Sequence, residues 1–203
     1  MSIEVTRVKI NYKNIRDKVF KQALTPIRLQ AQRQMQAKVD AAQKVMIDTF
    51  ENHPVTVEIR SGKEGNNISG TLGGYGNLFT YIGFPDGTDP TRGLRNILSK
   101  PFQIVFRGFL LRGTEEGDLR FEVRAPNILA LEKVTEMPWV TGDSWAAGIE
   151  EGISGIGQYL ALEARASRSG GGIQNVQINM PRTFNTQPYL STILKSFIDA
   201  FNT

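Results

Sequence analysis

From Ile27 onward the chain repeats apolar residues at spacings of four or three: Ile27, Ala31, Met35, Val39, Ala42, Met46 and Phe50. An α-helix turns once in about 3.6 residues, so this set falls on one face of a helix about 25 residues long. A strand cannot use the pattern, because its side chains change face at every residue. So long a helix with one apolar stripe requires a cover for that stripe, which the rest of the chain has to supply. Thr25-Pro26 offers a start, a hydroxyl N-cap with proline at the first helical position. Upstream, Ile15, Val19, Phe20 and Leu24 fit either a separate short helix or one continuous helix kinked at Pro26. Asn52-His53-Pro54 ends the run.

The cover is read from the remaining apolar segments. Ile3, Val5, Val8 and Ile10 give a short strand signal, and Val55 to Ile59 alternates as a second strand. Six glycines between residues 62 and 76 predict an exposed, conformationally free loop. Leu78 to Phe84 reads as a strand or an ordered plug. Asp89-Pro90 caps a short helix with Leu94, Ile97 and Leu98 inward. Residues 102–111 and 119–125 form strands of a hairpin, and residues 128–136 look helical. Trp145, Ala147 and Ile149 alternate, while Ile149, Ile153, Ile156 and Leu160 suit a helix. The glycines at 148, 152, 155 and 157 favour a strand to about residue 151. Residues 165–175 form a second flexible loop, a basic one. Pro188-Tyr189-Leu190 then opens an amphipathic helix with Leu190, Ile193, Leu194, Phe197, Ile198 and Phe201 inward. Helices at both ends and hairpin strands between them predict one α+β domain over residues 1–203. A long N-terminal amphipathic helix and a C-terminal helix pack on a mostly antiparallel sheet, with flexible loops near 62–76 and 165–175.

Chemistry finds little material. Cysteine is absent and His53 is the sole histidine, so a nucleophile–base pair built on either residue type lacks parts. His53 precedes Pro54 at a helix end, where a cationic ring suits the helix dipole. No phosphate-cradling GxxxxGK[ST] or strand-to-helix GxGxxG occurs, and the glycine loop at 62–76 reads as an assembly loop. Of the carboxylate pairs, Glu115-Glu116 lies in a hairpin turn as solvated charge, and Asp86 with Asp89 flanks a helix start. Glu150-Glu151, in a tryptophan- and glycine-rich stretch, is the pair on which a hydrolase reading would rest. The expectation is no enzyme, no cofactor and no metal site. The N-terminal residues lack an export signal, and no stretch approaches the roughly 18–20 apolar residues of a membrane span. A cytoplasmic site of synthesis is therefore expected.

The charge is uneven. The whole chain carries 24 basic and 20 acidic residues, a net of +4. Between residues 13 and 44 stand Lys13, Arg16, Lys18, Lys21, Arg28, Arg33, Lys38 and Lys44 against Asp17 and Asp40. That region holds a surplus of six positive charges, which leaves the remainder at −2. Such a helix presents basic residues off its apolar face, for solvent, an acidic neighbouring subunit or DNA. Arg165 and Arg168 in the second loop add another basic point.

Four segments, in this order, resemble tail-completion (neck) proteins of tailed bacteriophages. The long amphipathic helix comes first. Thr91-Arg92-Gly93-Leu94-Arg95-Asn96-Ile97-Leu98 follows, then Trp145-Ala146-Ala147-Gly148-Ile149-Glu150-Glu151-Gly152, and Pro188-Tyr189-Leu190 leads into the last helix. The stretch from Pro138-Trp139 to Leu160, with Arg168-Ser169-Gly170 after it, is similar to neck or tail structural proteins of large contractile-tailed phages. The resemblance implies a structural virion protein, assembled in the host cytoplasm, that forms a homo-oligomeric ring at the head–tail junction. Its implied partners are itself and the adjoining neck, tail-terminator or connector proteins, with genomic DNA in the lumen as a further contact. The alternative is a nucleic-acid-binding protein using the basic helix at residues 13–44.

Overall fold

A computed structural model describes the backbone of residues 2–4, 8–11, 17–73, 76–112, 116–138, 140–151 and 184–203. Side chains are described for these residues apart from 2–23, 111–112 and 116. The order of elements is β1 (Ser2–Glu4), β2 (Val8–Asn11), α1 (Asp17–Asn52), α2 (Pro54–Arg60) and a 3-10 turn at Gly62–Glu64. Next come α3 (Leu78–Ile82), α4 (Arg92–Leu98), β3 (Gln103–Arg112), β4 (Glu116–Arg124), α5 (Ile128–Glu132), α6 (Trp145–Glu151) and α7 (Leu190–Asn202).

The long helix is continuous. It runs from Asp17 through Thr25 and Pro26, so Thr25 is not an N-cap. Proline removes one helical hydrogen bond and crowds the preceding turn. The stripe that follows outweighs that cost, because Ala31, Met35, Val39, Ala42, Met46 and Phe50 are all buried. The cover for the stripe is α7, which lies along α1, together with β3 and β4. In α7, Leu190, Ile193, Phe197 and Phe201 are buried. Phe102, at the foot of β3, meets Phe197 edge to face at 5.2 Å.

The antiparallel sheet is built around β4. β1 and β2 both pair along one edge of β4, Ser2 opposite Arg124 and Asn11 opposite Glu116. β3 pairs with the other edge, Gln103 opposite Arg124 and Arg112 opposite Glu116. The register shifts by one between Phe106 and Gly108. Gly108 has φ of +131°, a backbone conformation that side-chain-bearing residues avoid, and it absorbs the extra residue of this bulge. Leu119, Phe121 and Val123 of β4 turn inward and are buried. The fold is thus α+β, with the N-terminal and C-terminal helices packed together beside an antiparallel sheet.

Two segments expected as strands, and a third expected as a strand or an ordered plug, are helices. Val55 to Ile59 alternates in composition, yet Pro54 is well placed only at a helix start and His53 caps it: the ring Nδ1 accepts the Val55 N–H at 3.3 Å. The inward set is Val55, Thr56, Glu58 and Ile59, a helical spacing that a buried glutamate hides from hydropathy. Leu78–Ile82 is a helix because the Asn77 side chain accepts the Thr80 N–H at 2.9 Å and Gly83 closes it with φ of +79°. Trp145–Glu151 is a helix in which Ser144 Oγ accepts the Ala147 N–H at 3.1 Å. Its inward residues Trp145, Ala146 and Ile149 decide against the strand. The helical signal at 128–136 shortens to Ile128–Glu132, followed by turns.

Candidate functional site

The basic helix is less basic where its side chains are described. Over residues 24–52, Arg28, Arg33, Lys38 and Lys44 stand beside Asp40, Asp48 and Glu51. Arg28 does not lie off the apolar face. It shares the inward side with Ala31 and Met35, half-buried, with its guanidinium over the Phe106 ring at 5.5 Å and a buried Nε that meets no hydrogen-bond acceptor among the described residues. Lys38 lies over Phe201 of α7, its ammonium 5.5 Å from the ring. Both cations thus lie against the helix's own packing partners. Arg33 and Lys44 are exposed. Lys44 lines an open hollow of about 270 Å³ with Asp40, Gln43, Ile47, Ser99 and Pro101. Gln43 closes the floor there, donating to the carbonyls of Leu98 and Lys100 at 2.6 and 2.7 Å. Lys18 and Lys21 belong to α1, but their side chains lie outside the described residues, as do Lys13, Arg16, Arg165 and Arg168 entirely.

The segments singled out in the sequence converge elsewhere, on the start of α7. Tyr189, the residue before that helix, is fully buried and stacks on Trp145 of α6 with ring centroids 6.0 Å apart. Its hydroxyl bonds Thr56 of α2 at 2.9 Å. Desolvation pushes the Tyr189 phenol well above its ordinary value, so the ring stays neutral. Glu150 of α6 caps α7: its carboxylate accepts the N–H of Leu190 at 3.0 Å and of Ser191 at 3.1 Å. An anion across the first turn meets the positive end of the helix dipole. Glu150 therefore has a complete structural assignment, while Glu151 is exposed.

His53 reaches the same joint. It was expected as a cation at the end of α1, and it is instead half-buried, with burial holding the ring below its ordinary proton affinity. Its hydrogen bond to Pro188 is to the carbonyl, since proline has no N–H.

A second polar joint ties α1, α2 and α4. Glu51 accepts from Arg60 and, at 3.0 Å, from Arg95 Nε. The bond from Arg60 leads, with Arg95 beside it, in holding the Glu51 carboxyl below its ordinary value against partial burial. Asp89, expected to cap α4, stands two residues before the N-cap Thr91 and instead accepts the Thr91 N–H at 3.0 Å and the Thr91 hydroxyl at 2.6 Å, while the helix starts at Arg92 with no side-chain cap. Thr91 Oγ1 in turn accepts from Arg60 Nε at 3.1 Å. Gly93 is required by proximity: a Cβ there would sit 2.6 Å from the Val134 carbonyl oxygen.

The described part of the glycine-rich loop is anchored rather than free. Glu58, fully buried on α2, accepts the Ser69 N–H at 2.8 Å and the Leu78 N–H at 2.7 Å. The Asn77 amide donates to the carbonyls of Gly62, Lys63 and Gly65 at 3.1, 3.0 and 2.7 Å. Ser69 and Thr71 are buried beside them. Glu58 and Asn77 escape sequence reading because a polar residue in an amphipathic segment counts as solvent-facing; the Asn77-Leu78 step before an apolar run was the available cap signal. The 165–175 loop lies outside the described residues.

Among the described residues no three histidines or carboxylates are grouped to hold a metal ion, and no helix is long and apolar enough to cross a membrane. No protein family, curated protein or solved structure matches the chain.

Proposed function

We propose that this chain is a structural protein of a tailed-phage virion that assembles as a homo-oligomeric ring at the head–tail junction and joins the tail to the head connector. One observation carries the reading. The three short segments that resemble neck proteins are distant in sequence, yet they are linked through one set of contacts. Trp145 stacks on Tyr189, Glu150 caps the helix that Tyr189 precedes, and Thr91 holds Arg60 at the end of the helix whose Thr56 bonds Tyr189. Their side chains are spent on caps and packing, which is what residues maintaining a scaffold do. A ring needs two different complementary surfaces on each subunit, because its contacts are heterologous. The proposed partners are further copies of the chain and the neck, terminator or connector proteins on either side.

The nucleic-acid reading has less behind it. Of the four basic side chains described on α1, Arg28 and Lys38 are turned onto rings of the same molecule. Mass photometry and electron microscopy of the purified protein, alone and mixed with its tail components, test the ring. Closed rings of one stoichiometry are expected. A protein that stays monomeric under both conditions refutes the proposal. A shift on duplex DNA at low salt that disappears at high salt, without rings, moves the assignment to nucleic-acid binding.

A further inference from the structure

We infer that the meeting point of α2 and α7 is a proton-sensitive latch, in which protonation of the His53 ring loosens the lead-in to the C-terminal helix. The latch is independent of the virion reading and rests on the contact that Nδ1 makes and on the ring's place beside Tyr189. Nδ1 accepts the Val55 N–H at 3.3 Å and so caps α2. An Nδ1 that accepts leaves the neutral imidazole its hydrogen on Nε2. The Pro188 backbone, whose polar group is a carbonyl, favours the protonated ring. A second proton has one place to go, Nδ1, where it would point at the Val55 N–H and remove the α2 cap.

The surroundings transmit the change to α7. The ring lies 4.9 Å from that of Tyr189, the residue immediately before α7. From α6, Glu150 attracts a charged His53, but both its oxygens already accept the amides of Leu190 and Ser191. A cation at His53 therefore competes for the carboxylate that caps α7. From the lead-in, Tyr189 is neutral, and its hydroxyl is engaged with Thr56 of α2. From the last turn of α1, the Glu51 carboxylate is turned to Arg60 and Arg95. Burial lowers the proton affinity of the ring more than the Pro188 bond and Glu150 raise it. The latch is thus fully closed above the ordinary histidine value of 6.5 and is lost as pH falls through the depressed value of the folded chain.

Because the chain has one histidine, NMR of the full-length protein reads the titration without ambiguity. Expected are an Nε2–H tautomer at pH 7.5 and a titration midpoint below 6.5. Amide exchange in the first turn of α7, corrected for intrinsic rates, should show opening that grows about tenfold for each unit of depression. A second arm uses His53→Asn, which retains a capping oxygen at every pH and should show no acid-linked opening. A midpoint at or above 6.5 overturns the latch. So does opening in α7 that ignores the titration, or an acid response in His53→Asn equal to that of the wild type.

Discussion

Glu51, in the last turn of α1, and Arg95, in the middle of α4, meet at 3.0 Å across forty-four residues of chain. Arg60 approaches the same carboxylate from the end of α2, so one acid ties three helices together. The side chains keep between 25% and 38% exposure, which places the network at the modest end of ion-pair energies. Glu51→Gln should cost about 1 kcal/mol at neutral pH, measured by urea unfolding. Pairing depresses the Glu51 carboxyl, so its contribution is present in full above pH 4.5 and is lost as pH falls below that value. The difference between wild type and variant should shrink accordingly in acid.

The two oxygens of Glu58 serve backbone amides, those of Ser69 and Leu78. Glu58→Gln replaces one acceptor with an amide that faces an N–H. The expected cost is about 2 kcal/mol, since a buried donor is left unmet. Hydrogen exchange should locate the loss at Ser69 and Leu78 rather than across the sheet.

Gly93 sits in a helix, where alanine ordinarily gains about 1 kcal/mol. Here the added methyl meets the Val134 carbonyl oxygen at 2.6 Å. Gly93→Ala should therefore destabilise by about 1–3 kcal/mol, whereas Asn96→Ala, on the exposed side of the same helix, should stay within about 0.5 kcal/mol of wild type. Thermal denaturation of the two variants distinguishes packing from propensity.

Tyr189→Phe strands the Thr56 hydroxyl in the core and should cost about 1–2 kcal/mol at neutral pH. Burial raises the phenol above its ordinary value of 10.0, so its contribution holds below pH 10 and is lost as pH climbs beyond it. The wild type should lose stability on that alkaline limb more steeply than Tyr189→Phe does, a comparison that unfolding curves at pH 9 and 11 make directly.

What the sequence disclosed followed from how many turns each element has. The stripe from Ile27 to Phe50 and the run from Leu190 to Phe201 repeat long enough for a helical period to stand out, and both are helices with the expected faces inward. Residues 55–59, 78–82 and 145–149 are too short for any period to prevail. Caps decided them: His53, Asn77 and Ser144 each hold an amide two or three residues on. The convergence on Tyr189 was not legible at all. Glu150 lies 40 residues from Leu190 in sequence, and a carboxylate in a glycine-rich stretch gives no sign of which amides it will meet.

The sheet's layout has a consequence for the order in which the molecule can be made. β1 and β2 leave the ribosome before β4, yet among the described residues β4 is the strand they pair with, Asn11 opposite Glu116 and Ser2 opposite Arg124. β3 and β4 form a local hairpin and need nothing from upstream to pair. The earliest-made strands must therefore wait while α1 to β3 are synthesised, and sheet closure is a late, non-local step. During vectorial synthesis the waiting edges belong to β1 and β2, which makes those strands the ones most exposed to mispairing between nascent chains.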